Sequence, residues 1–279
     1  MTPMAAEPVR IDDPADPRIA GFVSIRERDL TGREGLFIAE GTVVLRMLGQ
    51  AQARGNGFAA EAILLLEIRL AGIAEVLAAF PPAVPVYIAS QAVFDAIAGF
   101  NMHRGVLALG RKPAAEIGAS LLARLPETSL VLAGCGLSNH DNAGSIFRNA
   151  AAFGADAVFL DETSCDPLYR KAIRVSVGSV LTVPFSRGLS GEAMLRGLAE
   201  AGFEIWGLSP RGEVPVAAIP AARRIALVLG TEGEGLPENI LSSFRTARIP
   251  QRPGLDSLNV ATASGIALYQ IALAMGRVA

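Results

Sequence analysis

Cysteine and histidine are scarce: the 279 residues hold two of each. Cys135 and Cys165 form no Cys-x-x-Cys pair, which excludes a disulfide framework and a zinc ribbon. No metal site is expected, and no Ser-His-Asp arrangement can be assembled. An excess of basic charge is also missing, since 25 Lys and Arg stand against 27 Asp and Glu. A net charge of −2 excludes binding of nucleic acid through bulk charge, so any such contact must come from local patches. The opening MTPMAAEPVRIDDPADPR lacks the apolar core of a signal peptide, so a cytoplasmic location is the expectation. Long apolar runs are rare too. Ser257–Gly276 carries no charge and is long enough to test as a membrane span. Ser257, Asn259, Thr262, Ser264 and Gln270 interrupt it, so no membrane insertion is expected. A mostly apolar helix of this kind is buried in a core or a subunit contact. No internal repeat and no low-complexity segment is present.

What remains is a globular composition, 51% hydrophobic with 29 Gly and 17 Pro. Residues 1–17 read as a flexible leader rich in Pro and Asp. Strands are expected at Leu36–Ala39, Ala62–Glu67, Val84–Ser90 and Gly105–Gly110. Helices are expected at Val43–Gln52 with Thr42 as cap, at Leu70–Phe80 and at Gln91–Ala98. Over Arg18–Arg54, six Arg face four acidic residues, a small local excess of positive charge. Residues 18–112 thus form a first α/β domain and 113–126 a linker with a short helix. The alternation restarts over 127–279. Strands are expected at Ser129–Gly134, Ala155–Glu162, Val180–Phe185, Phe203–Pro210 and Ile225–Gly230. Helices are expected at Asn142–Phe153, within 164–175, from a Ser190 cap to Ala201, and after Ser257.

Four stretches can carry chemistry. Gly134-Cys135-Gly136 opens a dinucleotide fingerprint, but the third glycine position holds Asn139, so a tight turn is the better reading. In Ser138–Arg148, Asp141 or Asn142 suits a helix cap, with His140 in the loop before it. Arg148 fits equally an exposed side chain or a bidentate grip on a phosphate near the helix start. Gly230–Gly235 has glycine at three of six positions, which lets backbone groups approach a ligand. Glu232 and Glu234 would repel a phosphate there and suit a ligand with donors or positive charge. Ser257-Leu258-Asn259 starts the last helix, and Ser257 or Asn259 can cap it.

Taken together, these stretches resemble the SpoU/TrmH family of S-adenosylmethionine-dependent RNA 2′-O-ribose methyltransferases. Asn142-x-Gly144-x-Ile146-x-Arg148 is similar to its first motif, Leu227–Leu236 to its second, and Ile249-Pro250 with Ser257-Leu258-Asn259-Val260 to its third. Asp166-Pro167 and Arg174-x-Ser176-x-Gly178 are similar to its central stretch. Phe37–Gly41 and Gly105–Gly110 resemble the small ribosomal-protein-like RNA-binding domain of many members. The resemblance implies an α/β methyltransferase domain of the SPOUT type with a deep trefoil knot, an exception to the rule against knots. It implies S-adenosylmethionine as cofactor, tRNA or rRNA as substrate, and a homodimer through the C-terminal domain. By family position the cofactor-binding residues would be Leu208, Gly230, Glu232, Gly235, Ile249, Leu258 and Asn259. The working residues would be Asn142, Arg148, Glu232, Ser257 and Asn259. Asn142 and Asn259 would position loops and ribose, and Glu232 would organise the site. Arg148, in cis or across the dimer, would clamp a phosphate and polarise the 2′-hydroxyl, because a guanidinium stays protonated.

Three positions depart from the family pattern: Gln251 where methionine is frequent, Asp256 before Ser257, and His103-Arg104 before Gly105. None removes a residue assigned to chemistry. Two other function classes compete with a methyltransferase. A non-catalytic RNA-binding protein is disfavoured by intact Arg148, Glu232 and Asn259, and a nucleotide-binding oxidoreductase by the broken glycine fingerprint.

Overall fold

The computed structural model describes residues 6–23, 30–98, 105–114, 118–254 and 257–278. Asp256, His103 and Arg104 lie outside them. The chain forms two compact units, Met1–Ala114 with Leu168–Thr182, and Ala115–Pro167 with Val183–Ala279.

In the first unit the elements are β1 (Val9–Ile11), β2 (Leu36–Glu40), α1 (Thr42–Ala53), β3 (Ala59–Leu66), α2 (Ala74–Leu77), β4 (Val86–Ala89), α3 (Gln91–Ala98) and β5 (Val106–Arg111). The sheet order is β1-β4-β3-β5-β2. β3 and β4 run parallel, whereas β5 is antiparallel to both β3 and β2. Ile11, Ile19, Leu64, Phe94 and Leu107 pack a core on this sheet. The expected flexible leader is corrected here. Val9–Ile11 pairs in parallel with Tyr87–Ala89, and Ile11 is fully buried. One apolar side chain seated in the core offsets the turn-forming Asp and Pro around it. The helix expected over Leu70–Phe80 is shorter, a 3-10 turn at Ala71–Ile73 followed by the four residues of α2. Thr42 is the first residue of α1 rather than its cap, a place taken by Gly41 at φ 98°.

The second unit holds α4 (Gly118–Ala123), β6 (Ser129–Gly134), α5 (His140–Ala152) and β7 (Ala157–Asp161). After α6 (Arg170–Val175), which belongs to the first unit, come β8 (Phe185–Leu189), α7 (Gly191–Glu200), β9 (Glu204–Leu208) and β10 (Val214–Pro215). The unit closes with β11 (Arg224–Leu229), α8 (Glu238–Ser243), β12 (Arg245–Arg248) and α9 (Val260–Ala274). The sheet order is β10-β12-β9-β11-β6-β7-β8, and every neighbouring pair is parallel. β6 and β11 sit near its middle and are almost entirely buried, as continuous apolar strands in a parallel sheet must be. Val131, Ala133, Phe159, Leu195, Leu198 and Val228 pack one core cluster.

The excursion Leu168–Thr182 accounts for two differences from the sequence expectations. The helix expected within 164–175 is confined to α6, because Pro167 disfavours a helical residue before it. The strand expected at Val180–Phe185 is a 3-10 turn, Ser179–Leu181, and pairing with β7 starts only at Phe185, beyond Pro184. Gly178 at φ 82° opens that turn, and a Cβ on it would come 2.8 Å from Met47 Cβ. Ser190 caps α7 as expected, its hydroxyl accepting from the Ala193 amide at 3.3 Å.

Candidate functional site

In an all-parallel sheet the carboxyl ends of the strands share one edge, where ligands of open α/β folds sit. β9 ends there at Leu208, in register with Ala247 of β12, and β11 ends at Leu229, in register with Gly134 of β6. The chain leaving these ends encloses a cavity of about 490 Å³. Leu208, Leu229, Leu236, Ile249, Leu258 and Val260 give it apolar walls. Ser209, Arg211, Glu234, Glu238, Gln251 and Ser257 place polar groups on the same lining.

The glycine loop after β11 is shaped by close backbone contact. A Cβ on Gly230 would lie 2.2 Å from the Gly235 carbonyl carbon and 2.4 Å from the Leu236 amide. The approach is closed by two backbone hydrogen bonds, Thr231 N–H to Gly235 O at 3.1 Å and Gly235 N–H to Thr231 O at 3.2 Å. Gly233 and Gly235 hold φ of 100° and 76°, values that side-chain-bearing residues avoid. Gly212 is as tight, with its missing Cβ 2.3 Å from the Ala247 carbonyl carbon.

Two helix starts meet beside this loop system. Asn139, not Asp141 or Asn142, caps α5: its Oδ1 accepts from the Asp141 amide at 2.8 Å. His140 is accordingly the first residue of the helix rather than part of the loop. The cap reading of Asn259 holds, with Oδ1 accepting from the Ala261 and Thr262 amides at 3.0 and 3.2 Å. The same side chain also donates from Nδ2 to Asn142 Oδ1 at 3.0 Å. Asn142 is buried, so its amide is fixed by this bond. Ser257 is exposed and lines the cavity without capping α9.

Two positioning side chains escape a sequence reading. Asn149 lies seven residues after Asn142, about 700° around the helix and so on the same face. Its Nδ2 donates to Ala261 O at 2.8 Å and to Ser264 Oγ at 2.9 Å, and joins α5 to α9 a second time. Gly265 leaves the room for it, since a Cβ there would come 3.1 Å from Asn149 Nδ2. The other is Asp161, buried at the end of β7. Its carboxylate accepts from the Gly136 amide at 3.0 Å, the Ser164 amide at 2.8 Å, Ser164 Oγ at 2.6 Å and Thr163 Oγ1 at 2.8 Å. Ser164 Oγ in turn accepts from the Leu137 amide at 3.0 Å. The loop that delivers α5 is therefore pinned by one buried charge. The only signal in the sequence is Asp161 at a strand end followed by Thr163 and Ser164, a turn pattern. Asp161→Ala is expected to cost about 3 kcal/mol of folding stability, since it strands several buried donors at once. Urea denaturation measures this; a change within about 0.5 kcal/mol, as at an ordinary surface position, contradicts it.

Of the remaining candidates, Arg148 and Glu232 fall outside the cavity lining. Arg148 is exposed on α5, and its guanidinium makes no hydrogen bond or ion pair among the described residues. Glu232 is exposed in the glycine turn, and Glu234 rather than Glu232 lines the cavity. Leu208, Gly230, Gly235, Ile249, Ser257 and Leu258 all line it. Cys135 is no nucleophile: burial first, then the Asp161 charge, push its thiol up to about 12. Among the described residues no cluster of three His, Cys, Asp or Glu could hold a metal. Nor is any helix among them long and apolar enough to cross a membrane.

Residues 129–269 match the model of the SpoU rRNA Methylase family. A protein of Mycobacterium bovis named as an uncharacterized tRNA/rRNA methyltransferase is 40% identical over 277 residues, covering 92% of this chain and 89% of its own length. A solved RNA 2′-O ribose methyltransferase superposes with a TM-score of 0.76 at 26% identity, over 97% of this chain and all of that one. An AdoMet-bound rRNA methyltransferase from Sinorhizobium meliloti shares the fold, with a TM-score of 0.75 at 23% identity over 94% of this chain and 97% of its own.

Proposed function

The chain belongs to the SpoU rRNA Methylase family, and on that premise we propose that it methylates a ribose 2′-hydroxyl of tRNA or rRNA with S-adenosylmethionine as donor. The observation that carries this reading is the cavity at the strand ends, lined by a loop whose close backbone approach only glycine permits at Gly230. Its 490 Å³ lies within the range of small-molecule sites. Its apolar walls suit an adenine ring. Glu234 and Glu238 suit a ligand that carries positive charge.

When bound, S-adenosylmethionine supplies a methyl group already activated on a sulfonium. The residues of the chain then have two tasks, to align the ribose oxygen and to ease the loss of its proton. Leu208, Gly230, Gly235, Ile249 and Leu258 hold the donor, with Glu232 organising the turn around it. The Asn142–Asn259 pair fixes the start of α9, and with it the loop bearing Ser257 and Leu258. Arg148, exposed and unengaged among the described residues, grips an RNA phosphate through its two-pronged guanidinium and polarises the 2′-hydroxyl. It does not act as a base, because it stays protonated.

The same reading covers the architecture. The loops around the cavity form the trefoil knot. Consistent with this, β12, late in the chain, inserts between β9 and β10, and α9 then returns to pack on α5. The second unit pairs as a homodimer. Ile266, Tyr269 and Leu273 are exposed on α9 at helical spacing, an apolar stripe that a partner subunit would cover. The N-terminal domain binds the RNA, and the protein works in the cytoplasm. Incubation of purified protein with methyl-labelled S-adenosylmethionine and total cellular RNA tests the proposal. Label is expected in tRNA or rRNA. No label in any RNA, together with no heat of binding for S-adenosylhomocysteine, contradicts it.

A further inference from the structure

A net charge of −2 leaves RNA binding to local patches, and the second unit carries one. That unit has no lysine, and most of its arginines are already engaged. They donate to backbone carbonyls, as Arg187, Arg224 and Arg248 do, or pair with carboxylates, as Arg196, Arg245 and Arg277 do. Besides Arg148, only Arg211 and Arg252 of this unit have a guanidinium with no hydrogen bond or ion pair among the described residues. Both side chains are exposed. Arg211 lines the cavity, and Arg252 follows Gln251, which lines it too. They stand on the loops that leave β9 and β12, strands paired to each other at Leu208 and Ala247. Two loops thus bring uncompensated positive charge to one rim.

The turn that carries Arg211 is held tightly. Gly212 N–H donates to Ser209 O at 3.0 Å, and Ser209 N–H to Ala247 O at 2.9 Å. Arg248 Nη1 donates to the Gly212 and Glu213 carbonyls at 2.7 and 2.6 Å. A Cβ on Gly212 would meet the Ala247 carbonyl carbon at 2.3 Å, so the turn lies directly on β12. A cation on a fixed turn gives up less freedom when it grips an anion. Glu234 and Glu238 share the lining but form no ion pair with Arg211 among the described residues. Resting on the reading of an RNA substrate, we infer that Arg211 and Arg252 grip the phosphate backbone of that RNA at the cavity rim, a second contact besides Arg148. The single carboxylate of the donor could occupy one guanidinium and would leave the other bare. A chain of phosphates offers a partner to each, and the planar fork of arginine matches phosphate in two-pronged fashion. Such a contact reads no base, so it positions the strand over the cavity without setting the sequence.

Filter binding of total cellular RNA to the full-length protein over a range of salt tests this, with calorimetry of S-adenosylhomocysteine beside it. Arg211→Ala and Arg252→Ala are each expected to weaken RNA binding about tenfold at low salt, the worth of one charged hydrogen bond. Each is also expected to flatten the dependence of log affinity on log salt by about 0.7 to 0.9, the mark of one lost phosphate contact. Arg211→Lys and Arg252→Lys keep the charge and are expected to restore that slope, which a merely structural loss would not allow. Arg196→Ala removes the same charge from α7 and is expected to leave RNA affinity within about twofold. Losses no greater than in Arg196→Ala, or an unchanged slope, overturn the inference. A tenfold loss of S-adenosylhomocysteine affinity in Arg211→Ala with RNA binding retained assigns that side chain to the donor's carboxylate, and overturns it too. RNA binding that depends on both arginines, in a protein that labels no RNA, upholds the grip and contradicts the methyl transfer proposed above. No RNA binding by the wild type overturns both.

Discussion

Gly230→Ala is expected to weaken binding of S-adenosylhomocysteine at least about 100-fold, the scale of a misplaced binding loop. The added methyl would sit 2.2 to 2.4 Å from three backbone atoms of Gly235 and Leu236. Backbone cannot rotate aside as a side chain can, so the Thr231–Gly235 turn must open, and that turn lines the cavity. Gly233→Ala is the control. At φ 100° an alanine is strained, by about 1–2 kcal/mol, but nothing lies within 4 Å of the new Cβ. Its binding loss is expected to stay within about tenfold. Calorimetry measures both, with thermal melts to confirm folding. Equal, small losses in the two variants contradict a cavity built on backbone closeness at Gly230.

Arg148→Ala is expected to lower the turnover of RNA methylation by about 10² to 10³, the usual loss when one charge-stabilising group is removed. Affinity for S-adenosylhomocysteine is expected to hold within about twofold, because Arg148 lies outside the cavity lining. Stability is expected to change by less than about 0.5 kcal/mol, as at other exposed positions. Arg148→Lys keeps the charge and loses the planar fork, so an intermediate rate is expected. Full activity in Arg148→Lys contradicts the forked grip. A parallel loss of cofactor binding in Arg148→Ala contradicts the separation of donor site from RNA clamp.

Much of this was legible in the amino-acid order because the signals are local. β6 and β11 are apolar runs that end in glycine, and a buried parallel strand needs little more. Ser190 and Asn259 act as caps by accepting from amides two or three residues further on. The unreadable parts depend on distant chain. Val9–Ile11 is a strand only because β4 offers its edge. The apolar Val180 and Leu181 imitate a strand, yet they form a buried 3-10 turn in Leu168–Thr182, a segment that belongs to the first unit. Asp161 gathers donors from Gly136 as well as from its own turn, and Asn149 reaches a helix more than a hundred residues away. No local pattern carries either long-range contact.

The most direct measurement concerns the position of the methyl group on the product. RNA methylated by the purified protein with labelled donor is hydrolysed in alkali. Alkaline cleavage needs a free 2′-hydroxyl to attack the adjacent phosphate, so a 2′-O-methylated nucleotide protects the bond that follows it. The account predicts that the label is recovered in alkali-stable dinucleotides and, after enzymatic digestion, as a single 2′-O-methylnucleoside. Label recovered in alkali-released mononucleotides, as a base-methylated product would give, contradicts it.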